Sequence, residues 1–393
     1  MKYWIWLQDV LKYANGHALS ALNAFSNAKN IYDADIRTLK NSMLFTDKEL
    51  EALEKKSLLR AERIISYCNK NGIEIIAYGS EKYPQNLMNI PDPPIVLYVR
   101  GNMPDFDSVP SVCIVGPREC SDFGEKAAYS LSARLSRGGM IVVSGGALGV
   151  DTAAHRGALV ENAPTVAFLA HGFDFEYLKR NEGLRNEILE RGCIITEFPP
   201  KYRLYKGAFH VRNRLMSAIT LGTVVIEAGE RSGALITAHR ANEYGRDVFV
   251  IPGSPSQPQY VGSNKLLRDG AIPLLSAVNV FDEYIGLYYD KLDIDKAMSK
   301  PLVPFSVAFG NAPAPKSEIT EPMEPADTSA LSKAAKAIYD SSPSDPFCID
   351  ELPLFNEYNA AELMTAVAEL ELFGFVKAVP GGRYLINKGD KYV

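Results

Sequence analysis

The segment MIVVSGGALGVDTAAHRGAL, residues 140–159, decides the fold of this 393-residue chain. Met140–Val143 is a short apolar run, Ser144–Gly149 is a glycine-rich turn, and an alanine-rich helix begins near Asp151. A strand, turn and helix of this kind begin a βαβ unit. Glycines in the turn let backbone N–H groups approach an anion, and the helix N-terminus adds partial positive charge. The turn predicts a phosphate site, although a tight structural turn explains Gly145-Gly146 equally well.

The same alternation of strand and helix recurs on both sides of this segment. Amphipathic or alanine-rich stretches such as Ser121–Ser136 and Gly233–Tyr244 separate short apolar runs. A strand and a helix repeated about every 25–30 residues are typical of right-handed βαβ units on a parallel sheet. The sequence therefore predicts an α/β fold, a doubly wound Rossmann-like sheet whose ligands bind beyond the carboxyl ends of the strands. The predicted strands are Ile73–Tyr78, Ile95–Val99, Val112–Val115, Met140–Val143, Thr165–Leu169, Cys193–Thr196, Thr223–Ile226, Asp247–Ile251 and Ile272–Leu275.

Basic charge is concentrated between Phe198 and Ile226, a stretch without Asp or Glu in a chain of formal net charge -5. Cations suit the phosphates of a nucleic acid and aromatic rings suit its bases, so this stretch favours a single-stranded nucleic acid as ligand. A solvated basic loop followed by a helix explains the charge equally well. The cations are Lys201, Arg203, Lys206, Arg212 and Arg214, and the rings between them are Tyr202, Tyr205 and Phe209.

Two pairs of polar residues could indicate an enzyme, but each has a simpler structural interpretation. Asp151 and His155 share one helix face, as acid–base or metal chemistry requires, yet no third ligand is near in sequence. We therefore expect Asp151 to cap its helix and His155 to pack beside it. Glu227 and Glu230 follow a strand like the paired carboxylates of a glycosidase, but a polar turn before a capped helix explains them better.

The order of these motifs resembles that of the DNA-processing protein A family, also called DprA or Smf. The resemblance covers most of the chain, and the number of ordered matches makes it specific. Four places differ from the usual family pattern: Pro117, Gly146, Leu178 and the pair His210-Val211. The matching segments are Tyr83–Leu87 with Pro93-Pro94, Val115–Arg118, Ser144–Leu159, Tyr177–Asn181, Arg212–Arg214, Glu227–Ala238, Pro252-Gly253, Gly262–Asn264 and Asp269–Ala271.

The resemblance implies a non-enzymatic protein that binds single-stranded DNA. It also implies a homodimer formed through the Rossmann-like domain, and a protein that loads the RecA recombinase onto incoming DNA during natural transformation. No cofactor or metal belongs to that function. The competing hypothesis is a nucleotide-cleaving phosphoribohydrolase of the Rossmann type, but the segment Glu227–Gly233 lacks the P-G-G-x-G-T-x-x-E signature of those enzymes.

The resemblance also indicates which residues contact DNA. Arg118 and Lys179 match basic positions of the family, and each can neutralise one phosphate. The glycine turn would offer backbone donors, the two asparagines would bind phosphate or sugar, and the arginines at 212 and 214 would extend a positive wall. Phe209 would stack on a base or, equally well, lie in the core. The predicted contact residues are Arg118, Ser144, Gly145, Gly146, Lys179, Asn181, Phe209, Arg212, Asn213 and Arg214.

The chain divides into four predicted segments. Residues 1–70 have helical periodicity, as in Ala18–Ala28 and Asp47–Tyr67, and resemble the SAM-like module of the family. A helix-hairpin-helix module that binds DNA needs a glycine-containing hairpin, and Asn15-Gly16 is the only candidate in this segment. The segment is therefore expected to pack or to bind a partner and not to bind DNA. Residues 71–285 form the extended Rossmann-like domain, residues 286–328 a proline-rich linker, and residues 329–393 a winged helix. The winged-helix elements are helices at Leu331–Tyr339, Ile349–Leu352 and Ala360–Phe373 and a hairpin at Val376–Val379 and Tyr384–Ile386.

The predicted winged helix is acidic. Residues 328–393 carry six basic and nine acidic side chains, and Glu362, Glu369 and Glu371 lie on the third helix. This charge opposes phosphate contact, so the domain is expected to dock onto a protein or onto the rest of the chain. It also argues against a regulator that recognises duplex DNA through this helix.

Composition predicts a cytoplasmic protein. The length exceeds what one core usually supports, and a hydrophobic content of 47% suffices for sizeable cores. Five scattered cysteines without a C-x-x-C pair indicate neither a disulfide framework nor a zinc site. No run approaches the length of an apolar spanning helix, so we expect no membrane insertion.

Overall fold

A nine-stranded sheet organises the larger of two structural units, residues 1–310, and residues 311–393 form the smaller unit. The computed structural model describes residues 1–175, 178–302, 331–343, 347–349, 352–354, 358–372, 375–379 and 383–386. All nine predicted strands are present, each within two residues of its predicted bounds. They are β1 (Ile73–Ala77), β2 (Val96–Gly101), β3 (Ser111–Val115), β4 (Ile141–Ser144), β5 (Thr165–Phe168), β6 (Cys193–Thr196), β7 (Gly222–Val225), β8 (Asp247–Val250) and β9 (Ile272–Pro273).

The sheet is doubly wound, as the sequence predicts. Its order is β1-β2-β6-β5-β4-β3-β7-β8-β9, and β3 to β9 are parallel. The two added strands are antiparallel, with β2 paired to β6 and β1 paired to β2. The chain moves outwards from β3 to β6 and then returns to β7 beside β3. This reversal creates the switch point at which such sheets bind ligands.

Helices cover both faces of the sheet because alternate strand residues point to opposite sides. In β3, Val112 and Ile114 pack in one core, whereas Cys113 and Val115 pack in the other. In the described part of the chain, no helix is both long and apolar enough to cross a membrane. The helices of the larger unit are α1 (Lys2–Leu11), α2 (His17–Phe25), α3 (Ala28–Asp33), α4 (Ile36–Asn41), α5 (Asp47–Glu54), α6 (Leu59–Lys70), α7 (Gln85–Met88), α8 (Asp122–Arg137), α9 (Val150–Val160), α10 (Glu182–Arg191), α11 (Ala208–Ile219), α12 (Gly233–Glu243), α13 (Val261–Arg268), α14 (Ala277–Tyr284) and α15 (Ile294–Met298).

The N-terminal helices α1 to α6 share one core with β1 and β2. Buried Gln8 connects the two parts, because its Nε2 donates to the carbonyls of Val96 and Glu197 at 3.1 Å. The helices are shorter than the two predicted segments. Asn27 caps α3 and so separates it from α2, while residues 55–58 interrupt the predicted helix between α5 and α6. The helical module is therefore docked on the edge of the sheet.

The predicted linker begins later than residue 286. Leu292 is 5% exposed and Ala297 is fully buried, and both pack in the core beneath α8 and α14. Buried Arg137 of α8 pairs with Glu161 at 2.6 Å and donates to the carbonyl of Lys300 at 2.8 Å. These contacts make residues 286–302 part of the larger unit. The rest of the predicted linker, from residue 303, lies outside the described residues.

In the smaller unit, the structure describes helices Lys333–Ser341 and Ala360–Leu372 and the antiparallel strands Val376–Val379 and Arg383–Ile386. The predicted second helix falls partly outside the described residues, so the winged helix stays a prediction. Two acidic residues of the long helix accept hydrogen bonds from backbone N–H groups at helix starts. Glu369 accepts from the backbone N–H of Ser332 at 2.8 Å, and Glu362 accepts from that of Asn359 at 2.9 Å. These carboxylates therefore stabilise helix ends.

Candidate nucleic-acid interface

Two glycine turns meet at the carboxyl edge of the sheet, one after β3 and one after β4. Gly149 has φ 71°, and a Cβ there would lie 2.5 Å from the carbonyl oxygens of Pro117 and Arg118. Likewise, a Cβ at Gly116 would lie 2.5 Å from Cγ2 of Val150. Only glycine allows the two turns to approach this closely. The contact fixes the position of Arg118 at the rim of the sheet.

Beside these turns lies a crevice of about 570 Å³, built by residues that follow β3 and β7 and by α11. It occupies the switch point of the sheet, where the fold predicts a ligand. Four of the predicted contact residues, Arg118, Phe209, Arg212 and Asn213, line it, and so does Lys206. Lys206 is not among the predicted contact residues. The signal that could have identified it is its place in the acid-free stretch.

Arg118 is exposed and lies over the ring of half-buried Phe209, with 4.8 Å between the guanidinium carbon and the ring centroid. The guanidinium carbon of Arg212 lies 6.0 Å from the same centroid. Both distances are in the range of a cation–π interaction. Phe209 is only partly buried and packs against the small cluster of Ala170, Phe198 and Ala208, so its stacking on a base stays a prediction.

Arg212 lies beneath the glycine turn and does not form part of an exposed wall. Its side chain is buried, and its Nη1 donates to the carbonyl of Phe168 at 3.1 Å. A Cβ at Gly145 would lie 1.6 Å from this Nη1. Gly145 thus makes room for the guanidinium of Arg212 and not for a ligand. Gly146 has a different role, since its φ of 65° is the left-handed conformation that favours glycine.

The buried carboxylate of Asp151 occupies the anion position of the glycine turn. Its Oδ2 accepts from the backbone N–H of Ala147 at 3.2 Å, and the N–H of Gly145 also stabilises the charged form. Burial raises the pKa of Asp151, and the Arg212 guanidinium opposes that rise. The backbone donors predicted to hold a phosphate therefore already hold an anion of the chain itself. Ser144 is fully buried, and its hydroxyl donates to the carbonyl of Ile114 at 2.8 Å.

His155 packs in the interior, as expected, and does not act with Asp151. The Thr165 hydroxyl donates to the carbonyl of Val142 at 2.7 Å, so the ring Nδ1 of His155 must donate to Thr165 Oγ1 at 2.8 Å. Burial, with a smaller effect of Arg212, lowers the pKa of His155 to about 3. The imidazole is neutral at physiological pH.

Asn181 is buried against the glycine turn, where its side chain makes hydrogen bonds within the protein and is not available to DNA. Its Nδ2 donates to the carbonyls of Gly146 and Ala147 at 3.2 and 3.1 Å and to Thr152 Oγ1 at 3.0 Å. Because the side chain is buried, the predicted contact to phosphate or sugar is replaced by this internal one.

Lys179 is exposed beside the same turn but outside the crevice. It lines a smaller cavity of about 260 Å³ together with Arg100 and Arg185. The residue before it, Leu178, has φ 52°, which the ring of a proline does not allow. A proline at position 178, as in the usual family pattern, would therefore require a different backbone conformation of this turn. Arg118 and Lys179 lie on the same edge of the sheet, after β3 and β5.

Arg214 is buried in an ion pair and cannot extend a positive surface. The side chain is 1% exposed, and its Nη2 lies 2.5 Å from Oε2 of Glu197. Its Nε lies 3.5 Å from Oδ2 of Asp92. Burial raises the pKa of Glu197, whereas Arg214 lowers it. The prediction for Arg214 is wrong because α11 directs it into the interior, where two carboxylates surround it.

Glu227 is a structural anchor. Its carboxylate is fully buried and accepts from the backbone N–H of Ser121 at 3.1 Å and from the Tyr260 hydroxyl at 3.0 Å. A Cβ at Gly124 would lie 2.6 Å from its carboxyl carbon, so α8 begins directly on this group. The described residues contain no cluster of three or more His, Cys, Asp or Glu side chains that could bind a metal.

Known proteins resemble this chain in sequence and in fold. The family model of DNA recombination-mediator protein A matches residues 74–285. Protein Smf of Synechocystis sp. is 32% identical over 316 residues, which are 77% of each chain. The X-ray structure of DNA processing protein A from Streptococcus pneumoniae matches with a TM-score of 0.64 and 29% identity, over 72% of this chain and 98% of that one. A structure of the Helicobacter pylori protein, described for its single-stranded DNA binding mode, has a TM-score of 0.50 and 29% identity over 55% and 97%.

A doubly wound, Rossmann-like sheet with a basic crevice at its switch point places this chain among the α/β ligand-binding folds. The chain belongs to the family of DNA recombination-mediator protein A, whose members are called DprA or Smf. The family binds DNA and mediates recombination, and it is not a family of enzymes. The phosphoribohydrolase hypothesis is therefore not supported.

Proposed function

We propose that this protein binds single-stranded DNA at the crevice and, in the cytoplasm, loads the RecA recombinase onto that strand during natural transformation. The observation that carries the proposal is the exposed Arg118, held over Phe209 at the mouth of a crevice at the switch point. The Helicobacter pylori relative is described for its single-stranded DNA binding, which supports the same ligand here.

Binding at this site relies on side chains more than on the glycine turn. Arg118, Lys179 and Lys206 are exposed cations along one edge of the sheet, suited to successive phosphates. Buried Arg212 and Asp151 stabilise the turn behind them. Asn213 lines the crevice, but its Oδ1 is buried and has no hydrogen-bond partner among the described residues, so the contact from Asn213 to DNA stays a prediction.

Replacing Arg118 or Lys179 by alanine is expected to weaken binding to all single-stranded sequences alike. Each lost phosphate contact should flatten the slope of log affinity against log salt by about 0.7. Both side chains are exposed, so folding should be unaffected. Fluorescence anisotropy with several oligonucleotides at four salt concentrations measures both quantities.

Arg191→Ala is the matched control, because this exposed arginine precedes β6 and so lies at the opposite end of the strands. It should leave the salt slope unchanged. If Arg118→Ala and Lys179→Ala also leave affinity and slope unchanged, the strand does not bind at this edge and the proposal fails.

The proposed homodimer would use the outer end of the sheet. β9 is the last strand in the described order, and the leucine that follows its end, Leu275, is 81% exposed. An exposed apolar side chain beside an unpaired strand edge is suited to an isologous contact.

The variant Leu275→Glu is expected to weaken dimerisation by at least about tenfold, because it places a charge in the contact. Light scattering of the full chain at tens of micromolar measures the change. Leu59→Glu, at another exposed leucine, is the control and should leave the dimer intact. A wild-type monomer at that concentration would refute the dimer, and a dimeric Leu275→Glu would exclude this edge.

A further inference from the structure

A second basic and aromatic surface lies between the N-terminal helices and the loop after β6. It forms a groove of about 430 Å³ between α6 and residues 200–203. The lining contains no carboxylate. It consists of the cations Arg60, Arg63, Lys201 and Arg203 together with Ile64, Tyr67, Pro200 and Tyr202. We call this surface the N-terminal groove.

Most of the charge in the N-terminal groove is not neutralised. Arg60 pairs with Asp9 at 3.3 Å. Within the described residues, Arg63, Lys201 and Arg203 form no ion pair, and all three are exposed. The ammonium of Lys201 lies 5.9 Å from the ring centroid of Tyr67. A like-charged cluster of this kind repels itself unless an anion binds to it.

The loop that carries these cations is held in place. Its Tyr202 stacks on buried Phe198, with ring centroids 4.9 Å apart and an angle of 21° between the planes. The backbone N–H of Gly172 donates to the carbonyl of Tyr202 at 3.0 Å. Lys201 has φ 67°, an uncommon conformation for a residue with a side chain, which persists only when its surroundings impose it. The fold thus holds the backbone of the loop that carries this cation.

Residues 202–206 connect the N-terminal groove to the crevice. The rings of Tyr202 and Tyr205 have centroids 6.2 Å apart, and Tyr205 is 44% exposed. The next residue, Lys206, already lines the crevice that holds Arg118. Cations and rings therefore alternate from the crevice, along residues 201–206, to the face of α6.

We infer that the N-terminal groove is a second binding site for single-stranded nucleic acid, which takes the part of a strand that extends beyond the crevice. This inference rests on the proposed function and adds the N-terminal helices to the interface. Flat rings between unneutralised cations match a strand with phosphates and bases better than an acidic peptide, which has no bases to stack.

The test compares oligonucleotides of about 6 and about 25 nucleotides, because a single binding module covers only about 4–16 nucleotides. The double variant Arg63→Gln/Lys201→Gln in the full chain should bind the long strand about tenfold more weakly. It should also flatten the salt slope for that strand by about 1.4, which corresponds to two phosphate contacts. The short strand, which the crevice alone accommodates, should bind as it does to wild type.

The matched control is Arg37→Gln/Lys40→Gln, which removes the same charges from exposed positions on α4 of the same module. It should leave both affinities unchanged. The inference would be overturned if the groove variant lost the same affinity for both oligonucleotides, or if it bound the long strand as wild type does. An equal loss of affinity in the control variant would also overturn it. Competition by polyglutamate as strong as that by the long strand would assign the groove to an acidic protein segment instead. If wild type binds neither oligonucleotide, the proposed function itself fails.

Discussion

Replacing Arg214 by methionine is expected to lower the free energy of unfolding by about 3–5 kcal/mol. The guanidinium is 1% exposed and pairs with Glu197 at 2.5 Å, deep between α11 and the end of β6. Removing it leaves the fully surrounded Glu197 carboxylate without its cation, and the low dielectric around the pair makes an unpaired charge costly. Urea denaturation followed by circular dichroism measures the change.

Arg203→Met provides the control, because it removes an exposed arginine from the same acid-free stretch. Its effect on unfolding should stay within about 0.5 kcal/mol. The double variant Arg214→Met/Glu197→Leu should recover much of the loss, since an apolar pair replaces the ionic one. A loss of less than about 1 kcal/mol in Arg214→Met would contradict a buried ion pair at this position.

The substitution Gly145→Ala is expected to destabilise the protein by about 2–4 kcal/mol, although alanine adds a single methyl group. The new Cβ would lie 1.6 Å from Nη1 of Arg212, so the guanidinium must leave its place under the glycine turn. Asp151 then loses the cation that opposes the effect of burial on its pKa. Thermal and urea unfolding measure the loss of stability.

The pH dependence separates this mechanism from simple steric strain. Burial already raises the pKa of Asp151 in the folded protein, and displacement of Arg212 would raise it further. A raised carboxyl pKa contributes stability at low pH, and this contribution is lost as pH rises through the folded-state pKa. The deficit of Gly145→Ala should therefore be larger at pH 8 than at pH 5. Gly183→Ala, where nothing lies within 4 Å of the new Cβ, should show no such deficit. A deficit independent of pH would exclude the role of Asp151.

The sheet could be predicted from the sequence because its strands are buried on both faces and are marked by short β-branched runs between helices. The same reasoning failed at residues 286–302, where proline content suggested a linker. The apolar spacing of Leu292, Ile294 and Ala297 is the signal of a packed segment there. Proline content is a property of the whole segment, whereas its packing depends on the few apolar side chains that are buried.

The candidate site was predicted only in part, because charge in a sequence does not show its direction in space. Arg118 and Phe209, two of the predicted contact residues, come together at the crevice. Arg212 lines the crevice but is buried beneath the glycine turn, and Arg214 is buried in an ion pair. The partner of Arg214 is Glu197, the residue immediately before the acid-free stretch. An acidic residue at the end of a basic stretch can thus indicate a buried ion pair. Only the folded structure shows which basic residue is its partner.

The carboxylate of Asp151 has a consequence for what the protein can recognise. In related folds a glycine turn of this kind receives the phosphate of a small nucleotide. In this protein the carboxylate of Asp151 occupies the phosphate position, and Gly145, Ala147 and Arg212 surround it. A free mononucleotide would have to displace this carboxylate, which is part of the chain itself, before its phosphate could bind the turn. A polymer would gain many phosphate contacts at once, so we expect the occupied turn to favour the binding of a nucleic-acid strand over that of a mononucleotide.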